Sequence, residues 1–134
     1  MLTDGAGTPL AARTSAANTH DVRVLLPTLV SCPLSGYGRR GRRPRRLLAD
    51  RAYDSDWHEA VARWLGIRPQ FAQRGQPHGS GLGRERYVVE RTIANLHQNR
   101  RLKVRYERRP ELHQAFLTLG CIKICESALF TGYC

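Results

Sequence analysis

The stretch Leu47-Leu48-Ala49-Asp50-Arg51-Ala52-Tyr53-Asp54 places a run of apolar residues directly before a carboxylate. The run Arg46 to Asp50 predicts a short buried strand that ends at Asp50. In α/β folds, ligands bind at the carboxyl ends of strands, so Asp50 is a candidate site residue. The residues alone leave another interpretation open, in which Asp50 caps a turn or pairs with Arg51.

The flanking segments predict alternating strands and helices, and therefore an α/β fold class. Residues 1–16 predict a β-hairpin around the turn signal 4–7, and Val22 to Val30 predicts a short helix with Pro27 at its centre. A second helix follows Asp50, with Asp54 or Ser55 as its cap and Gly66 at its end; its apolar face would be Trp57, Val61, Trp64 and Leu65. Residues 67–71 predict a strand, at an edge or very short because of Pro69, and residues 33–46 and 72–83 predict loops.

Two more helices are predicted in the second half of the chain. Residues 84–99 carry an apolar stripe at Val89, Ile93 and Leu96, which recur at helical spacing. The last helix, roughly 110–128, is apolar at Leu112, Ala115, Phe116, Leu119, Ile122 and Cys125. Cys121 and Cys125 are expected to fill its core face.

The composition points to a polyanionic partner. The 134 residues contain 22 Lys and Arg against 11 Asp and Glu, which gives a net charge of +11. A domain this cationic repels itself unless it binds an anion such as nucleic acid. The sequence shows no transmembrane run, no signal peptide and no paired cysteine motif, so we expect a reduced, cytoplasmic protein without membrane contact.

A second candidate site lies on the helix 84–99. Arg86, Glu90 and His97 share one stripe, because spacings of four and seven return to the same helix face. Glu90 would lie where the core meets the surface and could hold a divalent metal together with Asp50, since hard cations prefer oxygen ligands. The alternative is a plain Arg86–Glu90 ion pair on a solvated face.

The tract 100–109 interleaves six cations with Tyr106, a pattern typical of surfaces that follow phosphates. A solvated charged face is the alternative, and the net charge of the whole chain favours nucleic acid. The histidines and cysteines lack the spacing of zinc sites, and the chain has no phosphate-binding glycine loop or nucleophile elbow.

Taken together, LLADRAYDS (47–55), GIRP (66–69) and HGSGLGRERYVVERTIANLHQNRRLKVRYERR (78–109) resemble the C-terminal half of bacterial insertion-sequence transposases of the DDE type. The likeness continues in HQAFLTLGCIKIC (113–125) and in DGAGTPLAARTSAANTHD (4–21). It covers nearly the whole chain and is most specific at ADRAYDS and RYVVERT.

The resemblance implies an RNase H-like fold in which two Asp and one Glu hold two Mg²⁺ (or Mn²⁺) ions for phosphoryl transfer. Asp50 matches the second Asp and Glu90 the Glu, so both would be catalytic metal ligands. Arg86 matches the arginine of the family's arginine–glutamate–lysine helix signature, and His97 stands where many relatives carry lysine. The residues expected to bind DNA are Arg86, His97, Arg100, Arg101, Lys103 and Arg105.

The first Asp of the family would lie upstream of residue 1, and neither Asp4 nor Asp21 matches it. We therefore expect residues 1–134 to form a partial catalytic domain that binds DNA weakly and does not cleave it alone. Its partners would be the terminal inverted repeats, target DNA, and a full-length transposase or the product of an upstream reading frame. A non-catalytic DNA-binding remnant that modulates such a transposase is the alternative. A decayed product without function is another, since residues 126–134 depart from the usual ending.

Overall fold

The structure is a computed structural model that describes residues 1–16, 18–32, 44–73 and 83–131. Most of the predicted loops 33–46 and 72–83 lies outside these ranges. The elements are β1 (Leu2–Thr3), β2 (Pro9–Ala11), a 3₁₀ turn (Asp21–Val24), α1 (Leu25–Val30), β3 (Arg46–Ala49), a second 3₁₀ turn (Arg51–Tyr53), α2 (Asp56–Trp64), β4 (Arg68–Phe71), α3 (Gly83–His97), α4 (Arg100–Lys103) and α5 (Pro110–Thr131). This mixture of strands and helices confirms the predicted α/β class.

The N-terminal hairpin is confirmed. Strands β1 and β2 pair antiparallel, with Leu2 opposite Ala11. The side chain of Asp4 closes the turn, because its Oδ1 accepts hydrogen bonds from the amides of Ala6 (2.9 Å) and Thr8 (2.8 Å). Gly7 adopts φ +96°, a conformation that L side chains rarely adopt.

The helix predicted over Val22–Val30 forms in two pieces, and this changes the position of Pro27. The segment begins as the 3₁₀ turn and becomes α-helical only at Leu25, so Pro27 is the third residue of α1. The first amides of a helix have no partner within the helix, so the proline removes no hydrogen bond there. His20 is the N-cap residue of the 3₁₀ turn, and its side chain makes no capping bond.

Strands β3 and β4 form a parallel pair joined through α2. Leu47 lies opposite Pro69 and Ala49 opposite Phe71. The amides of Arg68 and Ala72 donate to the carbonyls of Arg45 (3.0 Å) and Ala49 (3.2 Å). The backbone N–H groups of alternate residues of β4 therefore point toward β3. The nitrogen of Pro69 points away from β3, so its missing N–H removes no hydrogen bond between the two strands.

The core lies between this parallel pair and helices α1 and α2. Its buried members are Leu29, Leu47, Ala62, Ile67 and Phe71. The predicted core face of α2 is wrong at its two largest residues, since Trp57 is 57% exposed and Trp64 73% exposed.

His58 and Ala62 face inward on α2 instead. Ala62 is fully buried, and its small size permits the close approach of α2 to the sheet. The buried His58 is accommodated because its Nδ1 lies 2.5 Å from the hydroxyl of Ser55 and its Nε2 3.4 Å from the carbonyl of Val22.

Helix α3 contacts β1, β3, α4 and α5, and so joins the hairpin to the parallel strands. The predicted stripe is correct at Leu96, which is buried, but Ile93 is exposed and Thr92 is buried in its place. The hydroxyl of Thr92 donates to the carbonyl of Gly7 over 2.8 Å. A polar side chain can take a core position when such a partner meets it.

Helix α5 packs across α3, α4 and β2. Gly120 lies so close to α3 and α4 that an added Cβ would be 2.8 Å from methyl groups of both Leu96 and Leu102. Gln114 binds the segment directly after β2: its amide nitrogen donates to the carbonyl of Ala12 (3.0 Å), and its oxygen accepts from the amide of Thr14 (2.8 Å). The expectation that Cys121 and Cys125 fill the core is only partly correct, because both are half-buried.

Candidate metal and nucleic-acid site

Asp50 lies directly after β3, at the carboxyl end of the parallel pair, and is exposed. Its Oδ1 accepts a hydrogen bond of 2.5 Å from the amide of Arg51 and caps the following 3₁₀ turn. The alternative interpretation of the sequence, in which Asp50 caps a turn, is therefore confirmed. This bond uses one of about four lone-pair positions on the two oxygens of the carboxylate.

Glu90 lies on α3 and is exposed, so its expected position at the border of the core was wrong. The backbone around it is nevertheless fixed. The next residue, Arg91, donates from its guanidinium to the carbonyl of Ala6 (2.7 Å), and Thr92 binds that of Gly7. These two bonds hold the hairpin turn against the segment of α3 that carries Glu90.

The hairpin anchor at Arg91 and Thr92 was not predicted. Helical periodicity assigns core positions by hydrophobicity, and so it passes over a threonine. The signal that could have found it is the glycine-rich turn 4–7, whose carbonyls need donors once they are covered.

The structure brings the elements of the two carboxylates together, because α3 contacts β3. Both side chains are exposed carboxylates, and their oxygens are the ligands that Mg²⁺ and Mn²⁺ prefer. The donor chemistry therefore fits a hard divalent cation. Within the described ranges, no three His, Cys, Asp or Glu side chains are close enough together to form a metal site by themselves.

The predicted DNA-binding residues lie on α3 and in the tract 100–109 that comes after it. The side chain of Arg86 lies outside the described residues. His97 is the last residue of α3 and is exposed. Arg100, Arg101 and Lys103 occupy the four-residue helix α4, and Arg105 follows it. All four of these cations are exposed.

Arg101 differs from its neighbours because it is tied to the protein. Its guanidinium lies 2.6 Å from the carboxylate of Glu107 and 5.0 Å from the ring centre of Phe116 on α5. This combination of ion pair and cation–π contact links α4 to α5.

Two other cations of the tract are oriented by weaker contacts. The guanidinium of Arg100 lies 5.9 Å from the ring centre of Tyr106 and donates to its hydroxyl (3.3 Å). Arg105 donates to the carbonyl of Glu107 (3.1 Å). The tract thus presents an ordered cationic surface whose charge exceeds that of its one acidic residue. In the described part of the chain, no helix has the length and hydropathy needed to cross a membrane.

Comparison with known proteins shows the family of this chain. The family model for the transposase DDE domain matches residues 1–123. A Burkholderia cepacia protein named as a transposase for insertion sequence element IS402 is 51% identical over 132 residues. That match covers 96% of this chain and 62% of the relative, so the chain spans less than two thirds of the relative's length. No solved structure matches the chain. Proteins of the matched family act on DNA and generally use a divalent metal ion. By this match over most of its length, the chain belongs to the family of transposase DDE domains.

Proposed function

We propose that this chain serves DNA transposition through metal-dependent phosphoryl transfer at the ends of an insertion sequence. The observation that carries the proposal is the placement of Asp50 at the carboxyl end of β3, with α3, the helix that carries Glu90, in contact with that strand. Two carboxylates on adjoining elements at a strand end suit a site for divalent cations and phosphates.

Asp50 and Glu90 would hold Mg²⁺ or Mn²⁺. The bound metal would activate a water or a DNA 3′-hydroxyl and would offset the charge that develops on the phosphodiester. The chain's own contribution is orientation. The amide of Arg51 fixes one oxygen of Asp50, and the bonds of Arg91 and Thr92 to the hairpin turn fix the backbone beside Glu90.

The tract 100–109 would bind the DNA backbone. Exposed Arg100, Lys103 and Arg105 are available for phosphates, and His97 is exposed at the end of α3 beside them. Arg86, whose side chain lies outside the described residues, is proposed as a DNA-binding residue from the sequence alone. Arg101 would contribute in a second way, because its contacts with Glu107 and Phe116 hold α4 against α5. Phosphate contacts of this kind position a protein on DNA without reading sequence.

We further propose that the domain is RNase H-like. The support is an antiparallel hairpin and a parallel strand pair that both contact one helix, α3, while α2 joins the two parallel strands. A strand–helix–strand unit with parallel strands is the usual building block of such α/β sheets.

Manganese binding and DNA cleavage together test the proposal. Mn²⁺ is titrated into the chain and free Mn²⁺ is followed by electron paramagnetic resonance, for the wild type, Asp50→Asn and Glu90→Gln. Each substitution is expected to weaken binding by about tenfold or more. Glu111→Gln, which removes an exposed carboxylate on α5, is the matched control and should leave binding unchanged.

The same substitutions are then made in a full-length transposase that contains this segment. Mg²⁺-dependent cleavage of DNA carrying the insertion-sequence ends should fall more than about 100-fold, which is ~2.7 kcal/mol of transition-state stabilisation. Unchanged cleavage in Glu90→Gln would refute the catalytic assignment.

A second candidate function is DNA binding without catalysis, by which the chain would modulate a full-length transposase. The exposed cations of α4 favour it, because they need no metal to bind phosphate. In that case, Asp50→Asn and Glu90→Gln would leave every activity of the chain intact. Substitutions in the tract 100–109 would abolish its effect on a co-expressed transposase.

A further inference from the structure

Ser55 is the N-cap residue of α2, but its side chain caps no amide of that helix. A serine at this position usually accepts a hydrogen bond from one of the first amides of the helix. Here the hydroxyl lies 2.5 Å from Nδ1 of His58, three residues further along. The local preference of serine for capping is therefore overridden by a contact with the imidazole.

The partners of His58 indicate which ring nitrogen carries the proton. Nε2 lies 3.4 Å from the carbonyl of Val22, and a carbonyl oxygen can only accept, so the proton belongs on Nε2. Nδ1 is then an acceptor and takes the hydrogen bond that the hydroxyl of Ser55 donates. One tautomer satisfies both contacts, and the imidazole links the start of α2 to the 3₁₀ turn before α1.

The surroundings of His58 hold its ring in place. The residue is only 7% exposed and lies on the inner face of α2 together with Ala62. Two aromatic rings meet the imidazole edge to face, with centres 5.9 Å away for Tyr53 and 4.9 Å away for Trp57. Tyr53 itself packs against the core cluster. The nitrogen that binds Ser55 is therefore a fixed point of the fold.

Two backbone hydrogen bonds connect Ser55 to Asp50. The amide of Ser55 donates to the carbonyl of Tyr53 (2.9 Å), and the amide of Tyr53 donates to the carbonyl of Asp50 (3.0 Å). Residues 51–55 therefore form one compact turn. The turn has the carboxylate of Asp50 at its start and the bond to His58 at its end.

The side chain of Asp50 depends on the first residue of this turn. Its Oδ1 accepts a hydrogen bond from the amide of Arg51. A change at the end of the turn thus reaches the carboxylate through the amide at its beginning. Groups that orient a metal ligand raise the affinity for the metal, because the ligand is already in its binding geometry when the ion arrives.

We propose that His58 is a positioning residue for Asp50. Through Ser55 it fixes the turn 51–55, and the first amide of that turn fixes one carboxylate oxygen of Asp50. In this role His58 touches neither the metal ion nor the DNA. The inference rests on the proposed function, because the orientation of Asp50 matters to metal binding only if Asp50 is a metal ligand.

Amide exchange with water in the metal-free chain, measured by NMR, tests the first half of the proposal. Ser55→Ala removes the hydroxyl, and the amides of Tyr53 and Asp54 should then exchange about threefold faster or more, because the turn opens locally. Ser55→Thr restores a hydroxyl and should restore the slower exchange. The matched control is Ser31→Ala, which removes an exposed hydroxyl bound to the carbonyl of Thr28 (2.9 Å) and should leave both amides unchanged.

Mn²⁺ binding to the full chain, followed by electron paramagnetic resonance, tests the second half. Ser55→Ala should weaken binding by about three- to tenfold, which is less than the effect of Asp50→Asn, because the ligand remains and only its orientation is disturbed. Ser55→Thr and Ser31→Ala should bind Mn²⁺ as the wild type does.

Two substitutions of His58 separate positioning from stability. His58→Asn places an amide oxygen near the position of Nδ1, so it keeps an acceptor for Ser55 and loses the donor toward Val22. His58→Gln can keep that donor but loses the acceptor. We expect both variants to lower the free energy of unfolding and only His58→Gln to weaken Mn²⁺ binding. A purely structural role would weaken Mn²⁺ binding in both variants alike.

The outcomes distinguish this inference from the proposed function. If Asp50→Asn weakens Mn²⁺ binding and Ser55→Ala does not, the metal site stands and the positioning role is wrong. If neither substitution changes Mn²⁺ binding, Asp50 is no metal ligand and both proposals fail. Unchanged amide exchange in Ser55→Ala overturns the inference whether or not the metal binds. Faster exchange and weaker Mn²⁺ binding in Ser55→Ala, both reversed in Ser55→Thr, support it.

Discussion

The hydroxyl of Thr92 lies 2.8 Å from the carbonyl of Gly7, eighty-five residues away in the chain, and joins α3 to the hairpin turn. Both residues are buried, and the hydroxyl also lies 3.0 Å from the carbonyl of Val88 in its own helix. One short side chain therefore fixes the position of the N-terminal hairpin relative to the helix that carries Glu90.

Thr92→Val keeps the shape of the side chain and removes its hydroxyl. The buried carbonyl of Gly7 then loses this donor, and we expect the free energy of unfolding to fall by about 1–3 kcal/mol. Urea denaturation followed by circular dichroism measures the change. The matched control is Thr118→Val, which removes an exposed hydroxyl that binds its own helix at Gln114 (3.0 Å). A loss as large in the control would show that the contact with Gly7 has no special weight.

Gly120→Val tests the close packing of α5 on α3 and α4. The new side chain would overlap the methyl groups of Leu96 and Leu102, of which Leu96 is almost completely buried. We expect a destabilisation of about 1–3 kcal/mol despite the better helix propensity of valine. Gly5→Ala, where an added Cβ meets nothing within 4 Å, should change stability by less than about 0.5 kcal/mol. The melting temperatures of the two variants decide between these expectations.

Glu107→Gln tests the ion pair that ties α4 to the connector before α5. The side chain of Glu107 is only 11% exposed, and it holds the more exposed Arg101 at 2.6 Å. We expect a loss of about 1–2 kcal/mol in the free energy of unfolding, since hydrogen bonds to charged groups are the stronger kind.

The comparison for this variant is Glu59→Gln, which breaks the solvated pair with Arg63 on α2. That change should cost about 0.3–0.5 kcal/mol. If the two variants lose equal stability, the partial burial of Glu107 has no effect on the strength of its pair.

Lys103→Gln removes one exposed cation from the tract 100–109. If Lys103 contacts a phosphate, the slope of log affinity against log salt becomes shallower by about 0.9. Binding should weaken equally on any DNA sequence, because phosphate contacts carry no sequence information. Fluorescence anisotropy with a labelled duplex at several salt concentrations gives both quantities.

Arg63→Gln changes the net charge by the same amount at a site that Glu59 already neutralises. Its salt slope should match that of the wild type. Identical slopes for Lys103→Gln and Arg63→Gln would mean that total charge, and no defined surface, binds the DNA.

Burial raises the pKa of the Cys121 thiol above its ordinary 9.0, and the neighbouring Cys125 raises the pKa further. A raised pKa leaves less thiolate at neutral pH, and the thiolate is the reactive form. Iodoacetamide labelling of Cys121 at pH 7.5, followed by mass spectrometry, should therefore be slower in the folded chain than in the chain unfolded in urea. Cys125→Ser should lower the pKa of Cys121 and speed its labelling; an unchanged rate would exclude the influence of Cys125.

The order of elements was largely predictable, and the faces that they bury were predicted less well. The strand ending at Asp50, the hairpin and the two long helices follow from local apolar runs, turn residues and periodicity. On α2, the core face was predicted from the two tryptophans because they are large and apolar. The helix instead packs against the two short strands through Ala62 and the hydrogen-bonded His58, which are smaller than tryptophan. On α3, Thr92 is buried because a partner 85 residues away meets it, and no local pattern contains that information.

In the candidate site too, the positions of residues along the chain were predictable, whereas the contacts between elements were not. Local sequence was enough to place Asp50 after a strand and Glu90 on a helix, and to mark the cationic tract. The tie between Arg101 and both Glu107 and Phe116 depends on how α4 meets α5. A charge count treats all cations of the tract as equivalent, whereas packing separates those that face solvent from one that also holds two helices together.

The single amide of Gln114 gives the segment directly after β2 what a neighbouring strand would give it: a donor for the carbonyl of Ala12 and an acceptor for the amide of Thr14. A bare strand edge invites pairing with other chains and so promotes aggregation. One helical side chain therefore occupies backbone groups just past the three-residue strand β2, so that these groups are not open to pairing with another chain.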